Sequence, residues 1–212
     1  PNDGLKSKLQ RQGFKRLQVV GRGVDGAMFS PDHRRAACRS AWGAAENDPV
    51  FLSVGRLASE KNLELLLHSW MAIRAHEPNA KLVIVGDGPM REQVQSQFTG
   101  AHCVGVQRGE ALAATYARSD VFLFPSLSET YGNVVPEAMA SGLAVLAFDE
   151  AAAHEWIEPD VSGVVVPSGH SDAFVQLACE LATRPEWRES LRRQARQAAM
   201  QRDWQAIFET VE

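Results

Sequence analysis

Short apolar runs alternate with helical stretches along this chain, and the alternation limits the folds that it can adopt. Each run is about four or five residues long, which suits a strand buried on both faces of a sheet. Successive runs are roughly 20–30 residues apart, so each helical stretch can return the chain to form a parallel neighbour. The sequence therefore predicts an α/β fold, a doubly wound, Rossmann-like parallel sheet of six to seven strands. The predicted strands are residues 17–20, 50–54, 81–85, 102–106, 121–124, 144–148 and 163–166.

The stretches between these runs have helical spacing. A buried face is predicted for the helix at 63–76 from apolar residues at helical spacing: Leu63, Leu66, Leu67 and Trp70. A short helical turn is predicted at 154–157, where we expect His154 to be a surface residue and not a catalytic base. The predicted helices are residues 5–12, 63–76, 90–97, 109–117, 133–141, 171–183, 185–199 and 204–211.

Composition favours one globular domain, residues 1–212, with 45% hydrophobic and 23% charged residues. The net charge of −4 gives a nucleic-acid partner no electrostatic support. Three scattered cysteines are typical of reduced thiols, so we expect a cytoplasmic protein without a disulfide framework. No apolar run approaches the ~20 residues of a membrane-spanning helix. The chain opens at Pro1 without an initiator methionine, and we expect a fragment excised from a longer protein.

A cluster of arginines lies near the end of the chain. Most of its members are three or four positions apart on a predicted helix, which favours a solvated charged face over a binding surface. The cluster comprises Arg184, Arg188, Arg192, Arg193, Arg196 and Arg202.

The most informative stretch, residues 119–142, combines a strand, a polar loop and a helix. Pro136 is tolerated only in the first turn of a helix, so this helix begins near residue 132 or 133. Glu129 precedes that start and Glu137 follows it, eight positions later. Helix N–H groups can bind phosphate, and a carboxylate accepts paired hydrogen bonds from a vicinal diol. The structural alternative is a capped helix in which Glu137 stabilises the dipole.

A second candidate site follows the strand at 50–54. Arg56 and Lys61 lie on its carboxyl-terminal turn, where ligands bind in open α/β sheets. A guanidinium fork and an ammonium point charge together suit a diphosphate. The alternative is a surface loop with incidental charges. Arg22, between two glycines, could also reach a phosphate, but a surface arginine is the favoured interpretation.

These motifs together resemble a known family. ETYGNVVPEAMASG, with FPS before it and LAVLAFD after it, resembles the E-x7-E signature of the retaining, nucleotide-sugar-dependent glycosyltransferases of family 4, or group 1. GRGVDGAMFSP, VGRLASEKN and VIVGDGP follow the order of that family. The likeness covers nearly the whole chain but corresponds to the C-terminal, donor-binding half of a GT-B enzyme.

The resemblance assigns roles to the candidate residues. Arg56 and Lys61 would neutralise the diphosphate, Glu129 would bind the transferred sugar, and Glu137 would bind the ribose. It implies neither a metal nor a cofactor, since the nucleotide sugar is a substrate and protein cations meet its charge. A further donor contact is expected from Tyr131. The N–H groups around Gly132, Asn133 and Val134 are expected beside the phosphates, and Gly105 and Val106 beside the base.

The resemblance implies transfer of a hexose from a nucleotide-diphosphate sugar, GDP-mannose or a UDP-sugar, to a lipid or saccharide acceptor. The alternatives are a non-catalytic module that binds nucleotide or sugar phosphate, and a GT-B-type epimerase or phosphorylase. The acceptor site would lie in an N-terminal domain absent from this chain, so the isolated chain is expected to be inactive. Peripheral contact with the inner membrane surface would occur through that domain. An apolar stripe would pack on that domain, or else on this one, and comprises Trp204, Ile207, Phe208 and Val211.

Overall fold

A computed structural model of the chain describes residues 9–15, 22–34, 39–127 and 133–209. Its strands form one six-stranded parallel sheet in the order β3-β2-β1-β4-β5-β6, which confirms the predicted doubly wound fold. The strand predicted at 17–20 lies outside the described residues. The strands are β1 Val50–Val54, β2 Lys81–Val85, β3 His102–Gly105, β4 Val121–Phe124, β5 Ala144–Phe148 and β6 Val164–Val166.

Helices connect the strands and continue beyond β6. Five of them, α1, α3, α6, α7 and α8, begin where the sequence predicts, and the other three begin one to three residues away from the predicted start. A 3₁₀ helix, Ser59–Lys61, leads into α1. The helices are α1 Leu63–His76, α2 Arg91–Gln97, α3 Gly109–Ala117, α4 Val134–Ala140, α5 Ala151–Trp156, α6 Ser171–Thr183, α7 Pro185–Met200 and α8 Trp204–Glu209.

The sheet separates two hydrophobic cores, because side chains alternate between the two faces of a strand. Val50 and Leu52 of β1 belong to one core, and Phe51 belongs to the other. Helices α3, α4 and α5 cover the first face, while α1, α2 and α6 cover the second. Helix α7 contributes to both cores, so it closes one end of the layered arrangement.

The order of the strands reverses between β1 and β4. The helix after β1 covers one face and the helix after β4 covers the other, so their turns diverge and leave a crevice at the carboxyl ends of these strands. This geometry places the turn that holds Arg56 and Lys61 beside the loop that follows β4. The two predicted sites therefore share one edge of the sheet.

Backbone hydrogen bonds join the turns along this edge. The Gly55 N–H donates to Val85 O at 3.0 Å, and the Gly86 N–H donates to Gly105 O at 2.8 Å. Gly86 has φ +144°, and a Cβ there would lie 1.8 Å from Gly55 O. Only glycine allows the β1 and β2 turns to approach this closely.

The prediction that the late arginines form a solvated face is wrong for three of them. Arg188, Arg192 and Arg196 lie at four-residue intervals on the side of α7 that faces the domain, and each donates to carbonyl oxygens. The last carbonyls of a helix lack partners within it, so they require external donors. Guanidinium groups supply several donors each. The acceptors are at the ends of α6 and α4, and include Leu181 O, Ala182 O, Ala140 O and Gly142 O.

The buried Asp120 carboxylate, just before β4, has several hydrogen-bond and ion-pair partners. Its Oδ2 accepts from the Val50 N–H at 2.9 Å and from Arg39 Nη1 at 3.0 Å, and its Oδ1 accepts from Arg34 Nη2 at 2.8 Å. Arg192 Nη1 lies 3.4 Å from Oδ1. Burial alone would raise the pKa of Asp120, but the charges of Arg34, Arg192 and Arg39, with the Val50 hydrogen bond, lower it below its ordinary value.

We predict that Asp120→Asn lowers the free energy of unfolding by about 3–5 kcal/mol at pH 7, because it leaves buried guanidinium groups without their counter-charge. Urea unfolding measures this. Asp172→Asn, at an exposed position in the first turn of α6, is the control and should cost at most ~1 kcal/mol. A loss no larger than that of the control would contradict a central role for Asp120.

The same variant has a defined pH dependence. The pKa of Asp120 is lower in the folded chain, so its stabilisation is present above the ordinary value of 3.8 and is lost as pH falls below it. The difference in stability between wild type and Asp120→Asn should therefore shrink only in acid.

We also predict that Gly86→Ala destabilises the fold more than Gly169→Ala. Both glycines have positive φ, but a Cβ at Gly169 meets nothing within 4 Å. Gly169→Ala should therefore cost only about 1–2 kcal/mol of backbone strain. Gly86→Ala should lower the free energy of unfolding by a further ~2 kcal/mol or more, because the Gly55 carbonyl must move. Equal thermal unfolding shifts would show that the turns can separate freely.

Candidate functional site

The turn after β1 presents two cations to the crevice. Arg56 is 68% exposed, and its Nη1 lies 4.0 Å from Glu60 Oε1. An exposed pair at this distance contributes little to stability, so the guanidinium can exchange Glu60 for an anionic ligand at small cost. The position at the carboxyl end of a central strand is where ligands bind in such sheets.

Lys61 is more enclosed than Arg56. Its Nζ lies 5.5 Å from the centroid of the Phe124 ring at the end of β4, and its side chain passes over Gly55. Burial lowers the pKa of Lys61, while the charge of Glu60 opposes that change. A partly desolvated ammonium attracts an anion more strongly than one in bulk water.

The two loops of the crevice are joined at Glu60. The Ser126 hydroxyl donates to Glu60 O at 3.3 Å, and the Leu127 N–H donates to the same oxygen at 2.9 Å. The chain leaving β4 is therefore held against the Arg56–Lys61 turn. Three predicted site residues follow directly and lie outside the described residues: Glu129, Tyr131 and Gly132.

Glu137 lies in the first turn of α4 and is partly buried. Its Oε2 accepts a hydrogen bond from the Tyr116 hydroxyl at 3.1 Å. Burial raises the pKa of Glu137 to about 7, although the Tyr116 hydrogen bond acts in the lowering direction. A carboxyl group poised near neutrality in a cleft is a candidate for function. A Glu137 that only stabilised the helix dipole would need neither this burial nor the hydrogen bond from Tyr116.

A cavity of about 320 Å³ lies beside Glu137. The chain from Arg22 to Asp25 forms one wall, and Asn133 and Pro136 at the start of α4 form another. Arg22 Nη1 donates to Asn133 Oδ1 at 3.1 Å. Arg22 is exposed, as favoured from sequence, but the structure also places it on the wall of this cavity.

The predicted base contacts lie at the edge of the sheet. Gly105 ends β3 with φ +72°, and Val106 follows with 59% exposure. Because Gly105 O accepts the Gly86 N–H, this turn is continuous with those after β1 and β2. Gly105, Val106, Arg56 and Lys61 thus share the carboxyl edge, while Asn133, Val134 and Glu137 lie together at the start of α4.

Sequence reasoning missed one residue at this site. Tyr116 has the helical spacing of a core residue in α3, and nothing local links it to Glu137, 21 positions later. His154 is exposed, as predicted, with its Nδ1 2.8 Å from Asp149 Oδ1.

Helix α8 packs partly on this domain. The Trp204 N–H donates to Val24 O at 3.1 Å, and Trp204 and Ile207 would both contact a Cβ at Gly23. Trp204 remains 38% exposed and Phe208 64% exposed. Val211 lies outside the described residues, and contact of this stripe with another domain stays a prediction.

The described part of the chain has neither a metal-binding cluster nor a membrane-spanning helix. No group of three or more histidine, cysteine, aspartate or glutamate side chains there could hold a metal ion. No helix within the same residues has both the length and the apolar character needed to cross a membrane.

Comparison with curated proteins gives clear relatives. The chain is 36% identical over 197 residues to the sulfoquinovosyl transferase SQD2 of Arabidopsis thaliana, an alignment that covers 90% of this chain and 38% of that protein. It is 33% identical over 207 residues to a GDP-mannose-dependent alpha-mannosyltransferase of Mycobacterium tuberculosis, covering 98% of this chain and 53% of that protein. The chain thus spans about half or less of the length of these relatives.

A solved structure supports the fold. HepE of Anabaena, crystallised with UDP and glucose, superposes with a TM-score of 0.75 at 22% identity, over 92% of this chain and 55% of that one. At this identity the likeness establishes the fold alone, which is that of the GT-B glycosyltransferases. The sequence model of the family described as glycosyl transferases group 1 matches residues 35–198, which include all six strands. The chain therefore belongs to the group 1 glycosyltransferases.

Proposed function

We propose that this chain is the donor-binding domain of a retaining glycosyltransferase that transfers a hexose from a nucleotide-diphosphate sugar. One observation carries the proposal. Two cations at the carboxyl end of β1 and a partly buried carboxyl group at the start of α4 lie at the same edge of a doubly wound sheet. Cations suit the phosphates of such a donor, and a carboxylate suits its hydroxyl groups.

Arg56 and Lys61 would act on the leaving group. As the bond between the anomeric carbon and the phosphate oxygen breaks, negative charge develops on the diphosphate. Cations on the turn after β1 stabilise that charge, and Lys61, whose ammonium lies over the Phe124 ring, needs the smaller reorganisation. The resemblance adds backbone N–H groups around Gly132, Asn133 and Val134. These cations and N–H groups would meet the need that a metal ion could otherwise fill, so donor binding would require no metal and no cofactor.

Glu137 would accept hydrogen bonds from the two ribose hydroxyls. Only the ionised carboxylate is an acceptor at both oxygens, so diol binding favours ionisation. On the resemblance, Glu129 would bind hydroxyls of the transferred sugar, Tyr131 would line the donor site, and Gly105 and Val106 would border the base.

The relatives support two classes of donor. One is named a GDP-mannose-dependent mannosyltransferase and another a sulfoquinovosyl transferase, while HepE was crystallised with UDP and glucose. We therefore propose GDP-mannose or a UDP-sugar as donor and a lipid or saccharide as acceptor. The acceptor would bind in an N-terminal domain, which would also supply peripheral contact with the inner membrane surface from the cytoplasm.

The proposed phosphate site predicts a selective loss of affinity. Arg56→Ala or Lys61→Ala should weaken UDP and GDP binding by about 10–100-fold, because each removes one charge-assisted contact. Uridine and guanosine binding should change less than about twofold. Calorimetry and competition experiments measure both.

Matched controls exist for both cations. Lys81→Ala removes a lysine at the amino end of β2, away from the crevice, and Arg193→Ala removes an exposed arginine of α7. Neither should change nucleotide affinity. If Arg56→Ala and Lys61→Ala weakened nucleoside and nucleotide binding equally, both residues would be structural and the phosphate assignment would fail.

The two glutamates are predicted to act on different parts of the donor. Glu137→Gln should weaken binding of UDP and GDP and abolish the preference of the wild type for ribose over 2′,3′-dideoxyribose nucleotides. Glu129→Gln should leave free nucleotides unaffected and weaken only the nucleotide sugar. Glu92→Gln, at an exposed position of α2, is the control. The reverse pattern in calorimetry would refute these assignments.

A further inference from the structure

We propose that Tyr116 is a positioning residue for donor binding, an inference that rests on the proposed ribose role of Glu137. Its hydroxyl donates to Oε2 of Glu137 and takes one of the roughly four acceptor positions of the carboxylate, which leaves the others to the ribose hydroxyls. Tyr116 itself would make no contact with the ribose.

Packing fixes the Tyr116 ring from two sides. The ring is fully buried, stands edge-on to Phe29 with centroids 5.7 Å apart, and lies 5.9 Å from Phe122 of β4. Phe29 also lines the cavity beside Glu137. The hydroxyl lies 3.5 Å from Val134 O and 3.1 Å from Glu137 Oε2, so it bridges the first turn of α4. Because this packing fixes the ring, the Tyr116 hydroxyl cannot move with the Glu137 carboxylate. The hydroxyl therefore holds the carboxylate in one orientation.

The phenol remains a donor over the range of pH in which Glu137 titrates. Burial, the charge of Glu137 and the hydrogen bond to it all raise the pKa of Tyr116 well above its ordinary value. Its proton therefore stays on the hydroxyl and is available to the carboxylate. Donation favours the ionised form of Glu137, which burial disfavours. Tyr116 thus keeps the pKa of Glu137 close enough to neutral pH for the ionised carboxylate to accept a diol.

Few other charged groups face Glu137 within the described residues. Arg22 and Asp25 line the same cavity and have opposite charges. On α7, which packs against α4, Arg196 donates to the carbonyl oxygens of Ala140 and Phe29. The described group that hydrogen-bonds directly to the carboxylate is Tyr116, so removal of its hydroxyl is a specific test.

Tyr116→Phe removes the hydroxyl and keeps the ring. In the unliganded chain, ¹³C NMR of the Glu137 carboxyl should titrate near pH 7 in the wild type and at higher pH in the variant. UDP and GDP affinity should rise with pH through the same midpoints. The variant should therefore bind about tenfold more weakly near pH 7 and approach the wild type near pH 9. A purely structural loss would lower affinity equally at every pH.

Two further variants serve as controls. Ser69→Ala removes a buried hydroxyl from α1, on the opposite face of the sheet, and should leave the pH profile unchanged. Glu137→Gln should abolish the rise in affinity at the Glu137 midpoint and leave only the titration of the ligand's own terminal phosphate. Adding Tyr116→Phe to it should have no further effect on affinity. Additive losses in this double variant would mean that Tyr116 acts independently of Glu137, which would overturn the inference.

The outcomes separate this inference from the proposed function. If Glu137→Gln weakens nucleotide binding but Tyr116→Phe leaves both midpoints unchanged, the Tyr116 inference alone fails. If Glu137→Gln binds UDP and GDP as tightly as the wild type, the ribose role fails and the inference fails with it. A flat wild-type affinity profile between pH 5.5 and pH 9 would also overturn the inference, even if Tyr116→Phe did not fold.

Discussion

The buried carboxylate of Asp120 is the interaction on which the arrangement of the sheet depends. The carboxylate accepts the Val50 N–H at the start of β1, and three arginines approach it. The backbone N–H of Asp120 donates to Val50 O. The Asp120 carbonyl accepts the Ala144 N–H at the start of β5. One residue therefore joins the amino ends of three strands on both sides of the reversal in strand order. Strands joined at one end keep a fixed register at the other, where the Arg56–Lys61 turn and the loop after β4 meet.

A second set of arginine contacts fixes the helix that bears Glu137. Helix α4 has only seven residues, too few to be stable in isolation. Arg196 donates to Ala140 O at its last turn, and Arg192 donates to Gly142 O just beyond it. Arg192 also approaches Asp120, so the carboxyl end of α4 is tied to the same buried charge that aligns the strands. The position of Glu137 at the other end of α4 thus depends on charges some distance from the crevice.

The sequence predicted the bounds of strands and helices better than it predicted which side chains contact one another. The strands at 50–54, 81–85, 121–124 and 144–148 have their predicted bounds, because glycine, proline or a polar residue follows each apolar run. The arginines of α7 were misinterpreted because helical spacing shows which residues share a face, and not whether that face meets solvent or unpaired carbonyls. Tyr116 and Glu137 lie on separate helices, so no local pattern could pair them. The raised pKa of Glu137 is a consequence of burial, which only the packed structure provides.

The two parts of the proposed donor site differ in physical character. Arg56 is mostly exposed, so its attraction for a phosphate is screened by salt. Glu137 is largely withdrawn from water, and its capacity to accept a diol depends on whether it is ionised near pH 7. Ionic strength would thus act mainly on the diphosphate, and pH mainly on the ribose. A site of this kind holds the leaving group by charge and orients the nucleoside by hydrogen bonds. The phosphate contacts can then respond to the charge that develops during transfer while the nucleoside remains fixed.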